Sequence, residues 1–154
     1  MTGDEELLRR LREMWEATDP VPDGLADRVL FTLDLEHLEF ELLRLHDAFA
    51  PQAARGHESA RTITFSSDSL TVMVTVSPAG GRGPAHRLDC WIAPAAALRV
   101  ELRTSGGSQE TTADRDGRLS FPEVPAGLVQ LVLHPTEGAA LDLVVPVMTP
   151  AVQL

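Results

Sequence analysis

Along the first third of the chain apolar residues recur every three or four positions, and beyond it they recur every second position. Leu7, Leu8, Leu11, Met14 and Trp15 fall on one stripe of a helix predicted from Asp4 to Thr18. Thr2 and Glu5 fit a capping box ahead of it. Asp19-Pro-Val-Pro22 ends it, because a proline pushes the residue before it out of helical geometry, and Pro22 suits the opening of a second helix. Leu25, Val29 and Leu33 make that helix's stripe. Leu35, Leu38, Leu42, Leu45 and Phe49 then follow a 3-4-3-4 spacing, a coiled-coil-like seam opposite a mostly acidic face of Glu36, Glu39, Glu41, Arg44 and Asp47. Two readings stand: a helical hairpin packed on its own domain, or a segment that clasps another protein. Leu30, Phe31 and Phe40 lie partly off the stripes, and helices apolar on more than one side need two things to pack against.

Pro51-Gln-Ala-Ala-Arg-Gly-His57 reads as a linker, and the period changes after it. Ile63 and Phe65 alternate with Thr, and Leu70, Val72, Val74 and Val76 alternate with Thr71, Met73 and Thr75. Leu88, Cys90 and Ile92, then Leu98, Val100 and Leu102, then Val129, Leu131 and Leu133 continue the pattern. Leu141–Val147 and Val152–Leu154 complete a set of about seven or eight short strands separated by Gly- and Pro-rich turns, as in a β-sandwich. The expectation is an α+β chain: an acidic helical segment at 1–50, a linker at 51–60 and an antiparallel β-sandwich at 61–154.

Thr112-Ala-Asp-Arg-Asp-Gly-Arg-Leu-Ser-Phe-Pro-Glu123 has the outline of a calcium loop. Such a loop needs a strong oxygen ligand first and helices on both sides. Thr112 holds the first position, Pro122 the eleventh, and the flanks alternate like strands. A hairpin turn fits better, with Asp favouring its start and Gly117 free to take positive φ.

The stretch Thr111–Leu131, with its D-x-D-G turn, aromatic-bearing strand and V-P-x-G turn, resembles the core of carboxypeptidase-regulatory-like domains. That resemblance is good over roughly residues 96–135 and implies a transthyretin-like sandwich, a fold that hosts many roles. Such domains are non-catalytic companions in the peptidases that carry them. The phrases DPVP, RVLFTLDLE, ESARTITFSSDSLTVMVTVS and WIAPAAALRVELR give the whole chain a resemblance to small actinobacterial proteins with this domain behind an acidic helical leader. Those proteins tend to be encoded near extracytoplasmic-function sigma factors, so the resemblance implies a sigma factor as partner.

Charge sharpens this picture. The net charge of −10 over 154 residues argues against a nucleic-acid binder, since counterion release rewards basic surfaces. Residues 1–50 hold thirteen Asp/Glu against five Arg, and residues 51–154 hold ten against eight, an asymmetry that favours a basic partner. One cysteine, Cys90, allows no internal disulfide. The acidic start lacks the apolar core of a signal peptide, and no apolar run is long enough to span a bilayer. A cytoplasmic location is the expectation, without membrane association. The chain contains no Lys, Asn or Tyr, residues with AT-rich codons, which points to a GC-rich bacterial genome.

Little in the sequence offers catalysis. There is no G-x-S-x-G elbow, and Gly80-Gly-Arg-Gly lacks the Lys and helix of a phosphate loop. Ser66, Ser67 and Ser69 read as turn residues, and His37 and His46 as solvated members of the acidic face. His86-x3-Cys90 resembles the start of the H-x3-C-x2-C set of zinc-binding anti-sigma domains, but Ala93 stands where the last ligand belongs. That leaves too few ligands for a closed site, and Cys90 reads as a small buried apolar residue. No cofactor or metal is expected. The reading is a non-enzymatic interaction module, an adaptor or anti-sigma-like regulator, with Leu7, Leu11, Trp15, Leu38, Leu42 and Leu45 as the partner-binding residues. The alternative is a small-ligand or carbohydrate-binding sandwich that uses Trp91.

Overall fold

The computed structural model describes residues 3–33, 39–48, 60–81 and 83–154. They belong to two compact units, Met1–His37 and Leu38–Leu154. Thr2, Leu35, His37, Leu38, Phe49 and most of the expected linker, including His57, lie outside the described residues.

The first unit holds α1 (Gly3–Thr18) and α2 (Leu25–Leu33). Asp4, Glu5 and Glu6 occupy the first turn of α1, where carboxylates complement the positive end of the helix dipole. Its last turn closes with the Asp19 N–H donating to the Trp15 carbonyl at 2.8 Å, just before the Pro-Val-Pro stretch. The next helix begins three residues later than Pro22, because Gly24 takes φ +73° and a tight turn at Asp23–Gly24 precedes Leu25.

The second unit is built from two sheets. One has the order β1 (Glu41–Leu42), β10 (Val147–Met148), β9 (Leu128–His134), β6 (Arg99–Thr104), β7 (Gly107–Thr112), with β11 (Val152–Gln153) also on β9. The other has the order β2 (Arg44–Ala48), β3 (Arg61–Ser66), β4 (Thr71–Pro78), β5 (His86–Ala93), β8 (Arg118–Val124). All neighbours are antiparallel except β1 and β10, which are parallel. Alternation does the work expected of it: Ile63, Phe65, Val72, Val74, Val76, Leu88, Cys90 and Ile92 from one sheet and Val100, Leu102, Val129, Leu131 and Leu133 from the other join a single hydrophobic cluster. The chain is therefore α+β with a sheet-rich unit.

Two expectations are corrected. The seam from Leu35 to Phe49 is not a helix where it is described: Glu41–Leu42 and Arg44–Ala48 are strands. The seam residues Leu42 and Leu45 are about half exposed while Leu43 between them is buried, and sheet pairing supplies the backbone partners that a helix would have supplied internally. Leu43 links β1 in one sheet to β2 in the other, is fully buried, and donates its N–H to the Met148 carbonyl at 2.8 Å. The second compact unit accordingly includes these strands and begins at Leu38. Of the strand expected over Leu141–Val147 only Val147 is in a strand, Val147–Met148, since Pro146 interrupts that apolar run and cannot donate to a ladder.

One strand is apolar on both faces. Val129, Leu131 and Leu133 of β9 enter the core cluster, whereas Val132 and its partner Met148 on β10 lie outside it and are buried all the same. Gln130, on that second face, is buried but satisfied. Its amide donates to the Thr149 carbonyl at 2.9 Å and its Oε1 accepts from Arg103 at 3.1 Å.

Candidate binding surfaces

Three surfaces carry side chains that the folding of the chain does not use up. The first is the apolar stripe of α1. A rotation of about 100° per residue puts Met14, Leu7, Leu11, Trp15 and Leu8 in one continuous arc, and all five are exposed, from 40% at Leu11 to 64% at Leu8. No residue of α1 is buried. On the opposite side Arg9 bridges Glu6, at 2.6 Å, and Glu13, and Arg10 reaches Glu6 at 3.1 Å. The Arg9 and Arg10 contacts hold the Glu6 carboxyl below its ordinary value, and the same carboxylates raise the Arg9 guanidinium. These i,i+3 and i,i+4 pairs support the helix itself. In α2, Leu25, Val29, Leu30 and Leu33 are exposed and Phe31 is buried.

Of the residues expected to bind a partner, Leu7, Leu11 and Trp15 thus share one stripe at steps of four. Leu42 and Leu45 sit on β1 and β2 of the other unit, about half exposed. Leu38 lies outside the described residues.

The second surface is the outer face of β4, β5 and β8. Strand register lines up Thr64, Met73, Trp91 and Arg118 across four strands. Trp91 is 51% exposed, donates its Nε1–H to the Asp116 carbonyl at 3.1 Å, and has the Arg118 guanidinium 5.7 Å from its ring centroid. Asp116 is held in turn. The Asp114 Oδ1 accepts from the N–H groups of Asp116 at 2.9 Å and Arg118 at 2.8 Å, and the Asp114 N–H donates to the Arg118 carbonyl. The calcium-like stretch is therefore a turn whose first carboxylate braces its own backbone, and not the hairpin expected, because β7 and β8 on either side of it pair in different sheets. Arg87 and Asp89 form an ion pair at 2.8 Å farther along β5.

The third is an open polar groove of about 500 Å3 where β1 gives way to β2, lined by Glu41, Leu42, Arg44, His46, Ser66, Ser67, Asp68 and Ser69. His46 stands at a β-bulge between Leu45 and Asp47 on β2, not on a helical face. Ser69 Oγ donates to Glu41 Oε2 at 2.8 Å, and hydrogen bonds from Ser67 and Ser69 hold the Glu41 carboxyl below its ordinary value. Ser67 Oγ also accepts the Ser69 and Leu70 N–H groups. The result is a tether between β1 and the β3–β4 turn, with an ionised carboxylate whose lowered pKa makes it a poor general base.

Sequence reasoning missed this tether, since Glu41 and Ser69 come together only once Glu41 is on a strand. Cys90 is buried in step with Leu88 and Ile92, and burial, aided by the Asp89 charge, pushes its thiol up to about 12. Among the described residues no group of three or more His, Cys, Asp or Glu could hold a metal ion, and no helix is long and apolar enough to cross a membrane. Comparison with family models, with curated proteins and with solved structures finds no match.

Proposed function

We propose that the chain is a non-enzymatic interaction module whose N-terminal helices bind a basic partner protein, an adaptor or anti-sigma-like regulator. The observation that carries this reading is the exposed arc of Leu7, Leu8, Leu11, Met14 and Trp15 on α1. Burying the exposed halves of five such side chains is worth roughly 5 kcal/mol gross. Association itself costs about 4–15 kcal/mol, so α1 alone gives a weak complex. The exposed apolar residues of α2 are needed as well.

Charge favours a different protein over a second copy. Residues 1–37 carry ten Asp/Glu against four Arg, and pairing two such segments would juxtapose like charges. A basic partner would be steered to them instead. The resemblance to proteins encoded beside extracytoplasmic-function sigma factors supplies the partner class, and the resemblance to carboxypeptidase-regulatory-like domains supplies the second unit's role. On this reading its two sheets form a transthyretin-like β-sandwich that acts as scaffold.

The test is capture from the native host with the full chain and with a Leu7→Ser/Leu11→Ser/Trp15→Ser variant, followed by calorimetry with the purified captured protein. The expected result is a basic protein, a sigma factor in this reading, that the variant binds at least tenfold more weakly and that high salt weakens further. Equal binding by both chains would remove the helices from the interface and the proposal with them.

A further inference from the structure

The outer face of the second unit's sheet carries a separate site, and it does not depend on the reading of the helices. We propose that Trp91 and Arg118 form a subsite for an acidic sugar, a uronate-type residue of a polysaccharide, laid across β4, β5 and β8.

Three observations carry the assignment. First, the ring is presented, not merely left over. Trp91 is half exposed on a flat strand face, and its Nε1–H is already committed to the Asp116 carbonyl at 3.1 Å. That bond fixes the ring's orientation before any ligand arrives, so little rotamer entropy is lost on binding. Asp116 is itself locked by the Asp114 brace, and the support is rigid. An aromatic ring held this way offers its face to the apolar C–H side of a sugar ring.

Second, the charge beside it is free. Arg118 lies 5.7 Å from the ring centroid, near the outer limit for a cation–π contact, and so covers only part of the indole. Its guanidinium makes no ion pair among the described residues, whereas Arg87, on the same face, is engaged by Asp89 at 2.8 Å. In a chain of net charge −10 an unpaired guanidinium stacked against an exposed tryptophan is a local reversal of sign. A planar fork of this kind pairs with a carboxylate in two-pronged fashion.

Third, hydroxyls lie nearby, and the one carboxylate on the same face of β5, Asp89, is taken up by Arg87 at 2.8 Å. Thr64 on β3 lies directly opposite Met73, and Thr75 lies two residues along β4 from Met73, opposite Thr62 on β3 and Asp89 on β5. Neighbouring strands lie about 4.8 Å apart, and Thr64 and Thr75 stand diagonally across β3 and β4, so the two hydroxyls are offset along a sugar laid across the strands. A protein partner on this face would bury a larger apolar core than Met73 and Trp91 supply, and a neutral glycan would leave the Arg118 fork unused.

The experiment uses the full chain with Trp15→Phe, so that Trp91 alone of the two tryptophans reports. It is titrated with oligogalacturonate, with a neutral cello-oligosaccharide and with poly-glutamate, following tryptophan emission. A saturable change with oligogalacturonate is expected, at least tenfold weaker in Arg118→Gln and weakened by salt. Calorimetry on Trp91→Ala should show binding lost, with an unchanged far-ultraviolet circular dichroism spectrum establishing that the variant folds. No saturable response to oligogalacturonate, or the same calorimetric titration in Trp91→Ala, overturns the site. Equal affinity for the neutral oligosaccharide overturns the role of Arg118. Equal affinity for poly-glutamate shows that the face reads charge alone, and overturns the sugar.

Discussion

The backbones of Gly117 and Ile92 lie so close together that no side chain fits at position 117. The Ile92 N–H donates to the Gly117 carbonyl at 2.8 Å, and the Ile92 carbonyl oxygen occupies the space a Cβ on Gly117 would need, with the Ala95 Cα only 3.2 Å from the same point. Gly117 also sits at φ +76°, where an L side chain is strained. Gly117→Ala should therefore cost about 2–4 kcal/mol, the positive-φ strain adding to the clash. Urea denaturation checks it. A loss below about 1 kcal/mol would mean that β5 and the turn can move apart cheaply.

Leu43 and the stripe of α1 should behave oppositely. Leu43 is fully buried where the chain passes from one sheet to the other, so Leu43→Ala should lose about 2–5 kcal/mol through lost burial and the cavity left behind. The Leu7→Ser/Leu11→Ser/Trp15→Ser variant, altered only at exposed sites of α1, should stay within about 0.5 kcal/mol per substitution. Paired melts of the two variants decide it. If the α1 variant is the less stable of the two, the stripe is part of the folded core and is not available to a partner.

The same residues show where sequence pattern stops being informative. Alternation over 61–133 located the long strands, because each has one face in the common cluster and the period-2 signal is repeated in Thr71–Val76, Leu88–Ile92 and Leu98–Leu102. The stripe of α1 was equally plain, since nothing competes with a 3.6-residue period there. Leu35–Phe49 misled for a specific reason. The 3-4-3-4 seam passes over Leu43, the residue that is buried, and only the partner strands β3 and β10 decide which conformation the backbone adopts. β9 hid a second buried face because Gln130 looks like a solvent-facing residue until its bonds to Arg103 and Thr149 are seen. Trp91 was legible as an aromatic opposite Cys90. Its partnership with Arg118 depends on a register across β5 and β8 that spacing alone does not specify.

The Glu41 tether predicts a pH dependence. Its carboxyl is held below the ordinary value of 4.5 by the Ser67 and Ser69 hydroxyls, so the folded state favours the ionised form. The stabilisation is complete above the ordinary carboxylate pKa and disappears as pH falls below it through the lowered folded value. Glu41→Gln should cost about 0.5–1 kcal/mol near neutrality, with solvent screening keeping it at the low end for hydrogen bonds to a charged group. The gap between wild type and variant should close in acid. A gap that persists unchanged at pH 3 would show that the side chain's packing, not its charge, holds β1 to the turn.

Cys90 predicts the opposite sign at the alkaline end. Its thiol is pushed from 9.0 up to about 12, chiefly by burial, so the folded state favours the neutral form. Its contribution is intact below pH 9.0 and is lost as pH rises towards about 12, because the unfolded chain releases the proton first. The chain has neither Lys nor Tyr, so few other side-chain titrations obscure that window. At about pH 10.5 the loss should be about 2 kcal/mol, from roughly 1.4 kcal/mol per pH unit above the unfolded pKa. Cys90→Ala leaves a small cavity and lowers stability at every pH, so the informative quantity is the slope and not the level. Urea midpoints measured from pH 8 to pH 10.5 should fall in the wild type and stay nearly flat in Cys90→Ala. The same burial should keep a thiol-labelling reagent from reacting at pH 8 until denaturant opens the fold. Parallel slopes in the two proteins, or rapid labelling of the native chain, would show that the space between Leu88 and Ile92 admits water.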